Sequence, residues 1–209
     1  MLALLVLSAC GRPLATGERA LAKDLFGDWI NVDRVRVASG FRPALPKQAV
    51  EPLPDKVKKT ELRPGVCDRV NPDPPVGPPP AWALYNQVHL VAEFYRPDTL
   101  PGYPGQILLP EALIMAHELV HVWQWQNRKR TGYRPGRAAL ESLTNRDPYF
   151  YVPDEGAGFL EYGYEQQASL VEDYLCYGIF DPQNQRRAKL RAILAPYFQV
   201  DGIDRVLAQ

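Results

Sequence analysis

Most of the chain's 21 prolines fall between Pro43 and Pro110, and that distribution limits the fold more than any other feature. A proline has no N–H to donate and fixes φ at about −65°, so it interrupts helix interiors and central strands alike. Residues 40–80 are therefore expected to form an irregular insert, ending in the run Pro72 to Pro80, which favours extended polyproline conformations. Regular structure must come from the flanks. Thr16 can cap a helix running to about Phe26, with Gly27 as its left-handed stop. Asn31 to Ala38 alternates Val32, Val35 and Val37 with Asp33, Arg34 and Arg36, which suits a half-buried strand, and Gln87 to Val91 reads as a second. After a turn region from Pro97 to Pro104, Pro110-Glu111 opens a helix to about Lys129, with Glu111 at the positive end of its dipole. Arg128, Lys129 and Arg130, followed by Gly132, close it. Further helices are expected over Glu161–Gly178 and Pro182–Ala195, the last capped by Asp181. The fold class is α+β: a short antiparallel sheet packed on helices. At 209 residues, with 46% apolar content, residues 11–209 fit a single domain.

Lysine plus arginine equals aspartate plus glutamate, 24 of each. The longest basic block is Arg128-Lys129-Arg130, so no clustered field for phosphate is expected and nucleic acid is not an expected partner. No internal repeat and no run long enough to span a bilayer occurs. The first ten residues are apolar up to Cys10, and Leu7-Ser8-Ala9-Cys10 is similar to a bacterial lipobox, in which the cysteine is lipidated. The segment is shorter than a usual signal peptide and carries no Lys or Arg before its apolar run; a start codon placed too far downstream accounts for both. The competing reading is a buried N-terminal strand or helix. Gly11, rather than Asp, after the cysteine points to the outer membrane, so the expected location is the bacterial cell envelope, with a lipid anchor on Cys10. Cys67 and Cys176 then remain as an even pair in an oxidising compartment, either bonded or as two free thiols.

His117-Glu118-Leu119-Val120-His121 places two of the chain's three histidines four residues apart on the long helix. That spacing puts both imidazoles on one face, one turn apart, within reach of one ion. Imidazole nitrogens at about 2.0–2.1 Å are ordinary Zn2+ ligands, and Glu118 can lean toward a bound water as general base. A catalytic site needs a third protein ligand and an open fourth position. A metzincin continuation would need Gly at 124 and His at 127, where Gln124 and Asn127 stand. His89 lies in a predicted strand and reads as a strand residue. Glu165 is the better candidate, on the next long helix, with small Ala168 three residues on to let the helices approach. Glu161, Glu172 and Asp173 are rivals, and Glu172 is also placed to accept a hydrogen bond from a ligating histidine. Tyr149, Tyr151, Tyr162 and Tyr164 cluster just before Glu165, any of them a candidate oxyanion donor. Trp123 and Trp125 read as core packing.

Several blocks together resemble the bacterial Vgr-related zinc metallopeptidases. They are Arg12-Pro13-Leu14, Thr16-Gly17-Glu18, Leu25-Phe26-Gly27-Asp28, Asp33-Arg34-Val35-Arg36-Val37, His117 through Gln124, and Glu165 through Tyr174. The resemblance spans about residues 12 to 180. It implies a compact zincin domain of the gluzincin kind, with zinc on His117, His121 and Glu165, and Glu118 as base. The Pro-rich insert and the lipobox depart from that pattern. The expected function is a zinc-dependent metallopeptidase of the envelope, cleaving an amide bond in a peptide or related substrate. The alternative is a zinc-binding lipoprotein with a structural or binding role and no significant catalysis.

Overall fold

The computed structural model describes residues 11–40, 67, 79–153 and 157–208. The lipobox at Cys10 and most of the insert at 40–80 lie outside them. Four short strands, β1 (Arg12–Pro13), β2 (Arg36–Ser39), β3 (Ala81–Leu84) and β4 (Gln87–Leu90), form one sheet in the order β1-β2-β4-β3. Among the described residues seven α-helices accompany it: α1 (Thr16–Phe26), α2 (Glu111–Gln126), α3 (Arg128–Thr131), α4 (Pro135–Thr144), α5 (Tyr164–Phe180), α6 (Gln185–Leu194) and α7 (Val200–Leu207). The α+β class is as expected; the antiparallel sheet is not. β1–β2 and β3–β4 are antiparallel, but β2 and β4 run parallel, with Val37 opposite Val88 and Ser39 opposite Leu90. A parallel pair needs a long crossover, and residues 40–80 supply the length. The two-residue turn Tyr85-Asn86 joins β3 to β4 and leaves β3 on the sheet edge.

Local chemistry moved several element boundaries. The alternating stretch from Asn31 begins as a 3-10 turn at Val32–Arg34, because the Asn31 side chain accepts the Asp33 N–H at 3.2 Å. Such a side-chain bond competes with the strand ladder, so β2 starts only at Arg36. Ala15, not Thr16, sits at the α1 N-cap. Asn184, whose side chain accepts the Arg186 N–H at 2.9 Å, caps α6 in place of Asp181. α2 ends at Gln126; the cationic residues form the separate turn of α3, closed by Gly132 at φ 68°. Helices α4 and α7 arise where none was expected.

The core gathers around α2, which lies between the sheet and α5. Every residue from Met115 to Gln124 is buried. Trp123 packs with Phe159 and Phe198, with ring centroids 6.0 and 5.0 Å away. α1 and α7 approach so closely that a Cβ at Gly202 would sit 2.8 Å from the Asp24 carbonyl oxygen. Cys67 and Cys176 are disulfide-bonded, Cα to Cα 5.8 Å, fastening the insert to α5 across 109 residues. A loop of that size is worth about 4–5 kcal/mol in the chain-entropy account. Among the described residues no helix is long and apolar enough to cross a membrane.

One ion pair anchors the N-terminal segment. The fully buried Glu18 accepts both guanidinium nitrogens of Arg12 at 2.6 and 2.7 Å, the Ala15 N–H, and the Thr99 N–H and hydroxyl. Burial alone would raise its pKa, but these donors and the Arg12 charge outweigh it and hold the carboxyl below its ordinary value. Stabilisation from a depressed carboxylate is fully present above the unfolded pKa of about 4.3 and is lost as pH falls through the folded value. Glu18→Gln is expected to cost about 3–5 kcal/mol at neutral pH, because Arg12 loses its counter-charge. The gap from wild type should narrow below about pH 4; melting temperature against pH measures both, and a constant gap would refute the assignment.

Candidate metal centre

Because α2 is buried around most of its circumference, His117 and His121 point into the protein rather than at bulk water. Both are 6% exposed. Their Nε2 atoms each lie 3.2 Å from the same Glu165 Oε2, and one ligand atom from each of the three residues falls within 4.8 Å of the others. Glu165 is in the first turn of α5. Ala168, fully buried three residues on, is the small side chain that the close α2–α5 packing uses.

Each imidazole is held from behind. Glu172 Oε2 is 3.0 Å from His117 Nδ1, and Gln124 Oε1 is 2.9 Å from His121 Nδ1. An acceptor at Nδ1 fixes the proton there and directs the Nε2 lone pair at the centre. Two lone pairs and a carboxylate oxygen facing one point repel unless positive charge sits among them. Protons on the imidazoles can supply it, and so can a divalent cation. The two-nitrogen, one-oxygen donor set, with aligned rings and a carboxylate beside it, fits the latter.

The electrostatics agree with this demand for positive charge. Burial opposes charge on both imidazoles, yet Glu165 and Glu172 outweigh it and push His117 up to about 10, while Glu165 raises His121. Burial also acts on Glu165, but the two histidines overcome it and drive its carboxyl far below the usual carboxylate range. Glu118 moves the other way: burial raises it, and the imidazoles only partly offset this. It is 5% exposed, and its Oε2 has no hydrogen-bond partner among the described residues.

The other candidates fall elsewhere. Asp173 accepts the Tyr151 hydroxyl at 2.5 Å, and Glu161 is an exposed residue of a 3-10 turn. His89 stacks on Trp82 across the β3–β4 pair, centroids 3.8 Å apart, and burial lowers its pKa. Of the four tyrosines, Tyr149 faces the site, its ring centroid 5.7 Å from that of His117. The hydroxyls of Tyr162 and Tyr164 go to the carbonyls of Val152 and Gly132. Trp123 is core, as expected, whereas Trp125 is only half-buried and meets Tyr85 and Arg128.

Two supporting residues escaped the sequence reading. Ser142 on α4 donates to Glu165 Oε1 at 3.2 Å. Gln124, fully buried, turns its amide nitrogen to the Tyr164 carbonyl and to Gln167 Oε1, both at 3.0 Å. It thereby ties His121 to the start of α5. Its position three residues after His121, on the same helical face, was the available signal. Gln124→Leu is expected to weaken metal binding by about 10–100-fold with the fold retained; competition against a chelator of known affinity measures this.

No protein-family model and no curated protein matches the chain. Among solved structures, the chain is similar to the effector domain of Pseudomonas aeruginosa VgrG2b, at 24% identity and a TM-score of 0.50. The match covers 92% of this chain and 88% of that one. At that identity the likeness is one of fold, an α+β domain with a small sheet and several helices. The Vgr-related resemblance read from the sequence is thereby met at the level of fold.

Proposed function

We propose that the chain is a zinc-dependent hydrolase of amide bonds, a metallopeptidase of the zincin kind. One observation carries the reading: His117 Nε2 and His121 Nε2 converge on a single oxygen of Glu165, with the unpartnered carboxylate oxygen of Glu118 buried beside them. Zinc bound there would bring the pKa of a water to about 7 and polarise a substrate carbonyl. Glu118 then takes the proton of the attacking water at Oε2 and delivers it to the amide nitrogen as the C–N bond breaks. Glu172 and Gln124 keep the imidazoles oriented, and Ser142 steadies Glu165. Among the described residues three candidate protein ligands converge, rather than four, which favours catalysis over a purely structural site.

We propose an envelope location, supported by the similarity of Leu7-Ser8-Ala9-Cys10 to a lipobox, with a lipid on Cys10. The VgrG2b domain is an effector domain, which offers a second reading: action outside the producing cell. Metabolic lipid labelling that disappears in Cys10→Ala supports the anchored form; a protein found free outside the cells supports the other.

The test of function is metal content by mass spectrometry, followed by peptide hydrolysis with and without a chelator. About one zinc per chain and chelator-sensitive cleavage are expected. A wild-type protein that takes up no zinc after supplementation would refute the reading, and one that binds zinc but cleaves nothing would favour the structural alternative.

A further inference from the structure

Beyond His121, the same face of α2 reaches Trp125 four residues later, about 6 Å along the helix. There an open cleft of about 500 Å³ begins. Half-buried Trp125 and buried Tyr133 form its floor, and exposed Arg128, Lys129, Arg134 and Arg137 line its walls. Among the described residues no carboxylate lines it. Several cations elsewhere are paired, among them Arg12 with Glu18, Arg19 with Asp33, Arg187 with Asp204 and Arg191 with Asp201. Here Lys129, Arg134 and Arg137 have no carboxylate partner among the described residues. In a chain with equal numbers of acidic and basic residues, four cations around one concavity, with no carboxylate among its described lining, are a local excess.

Both walls are tied to the metal centre. Tyr133 packs edge-on against Tyr164, centroids 5.0 Å apart, and the Tyr164 hydroxyl donates to the Gly132 carbonyl at 2.9 Å. Tyr164 immediately precedes Glu165. Arg134 and Arg137 stand at the start of α4, the helix whose Ser142 touches Glu165. The separation of one to two helical turns corresponds to about two or three residues of an extended peptide.

We propose that this cleft binds a carboxylate of the substrate two or three residues from the bond that is cleaved, so that acidic peptides are the preferred class. The proposal rests on the hydrolase reading for its orientation. A concave, aromatic-floored cleft suits an extended chain better than the flat face of a membrane.

The test measures binding, so that it does not depend on turnover. Zinc-loaded Glu118→Gln protein is titrated with an end-blocked peptide carrying two glutamates, its end-blocked glutamine counterpart, and the glutamine peptide blocked only at its N-terminus, so that it ends in a free carboxylate. The glutamate peptide, or the free-carboxylate peptide, should bind about tenfold or more tighter than the end-blocked glutamine peptide. Whichever does so identifies a side-chain or a terminal carboxylate as the occupant. The preference should fade in high salt and in Arg134→Gln/Arg137→Gln, two exposed positions whose change leaves the fold intact by circular dichroism. Equal binding of all three peptides, or a preference untouched by the double change, would overturn the proposal. So would phosphatidylglycerol vesicles that bind wild type but not the double variant while the peptides go undiscriminated. Charge preference without any wild-type hydrolysis would sink the hydrolase reading and leave the cleft; hydrolysis without charge preference would do the reverse.

Discussion

Glu118→Gln is expected to keep about one zinc per chain while losing about 10²–10⁴-fold in peptide hydrolysis. The two side chains are nearly isosteric, and Glu118 is not among the three residues whose ligand atoms converge. The site therefore keeps its shape and its metal. What disappears is the acceptor at Oε2, which no donor among the described residues occupies. An amide there cannot take a proton from water, so the loss should appear in kcat and kcat/KM together, with KM little changed. The removed carboxylate is also buried, and its burial raises its pKa. An uncharged amide costs nothing more in desolvation, so the variant should be at least as stable as wild type. Loss of zinc in this variant would make Glu118 a ligand instead, and unchanged hydrolysis would remove it from the reaction.

Glu165→Ala should act on the metal itself. It removes the one oxygen that both Nε2 atoms face, leaving two imidazoles on one side of the site. Zinc affinity is expected to fall by more than about 100-fold, since loss of a supporting residue alone costs 10–100-fold. Thermal unfolding gives a readout independent of activity. Zinc at a hundred times its Kd should stabilise wild type by about 2.7 kcal/mol and the variant by a small fraction of that at the same concentration. The metal-free variant should fold, because Ala suits the first turn of α5 and the side chain it replaces lies at the site rather than in the apolar core. Equal zinc stabilisation of the two proteins would show that another residue completes the site.

The parts of the site legible in the sequence were those fixed by spacing within one helix. His117 and His121 face the same way for any helix containing both, and Glu172 lies two turns beyond Glu165 on its own helix. Bringing Glu165 to the pair needed one contact between helices, which small Ala168 signalled. Cys67 and Cys176 were legible by arithmetic, as one of two readings, and they are bonded. Features decided at longer range were not legible. The parallel β2–β4 pair joins segments far apart in the chain, which no local pattern encodes. α4 buries only Ala138, so its apolar stripe gave little signal. α7 did carry one, with Val200, Ile203 and Leu207 spaced for a single face, but at eight residues it is short enough to pass as a turn. Asn184 took the cap from Asp181 because the chain makes another turn before the helix begins.

The burial of α2 carries a consequence for how such a protein can diversify. Its motif and its core are one helix, with Leu119, Val120 and Val122 filling the interior between and beside the ligands. Close-packed interiors tolerate little change in volume, so drift at these positions is penalised twice, in folding and in chemistry. Freedom to change is left to the surfaces that flank the helix: the Tyr85 turn and the exposed wall of α4. Sequence change in proteins of this build should accumulate on those rims while the central helix stays nearly constant.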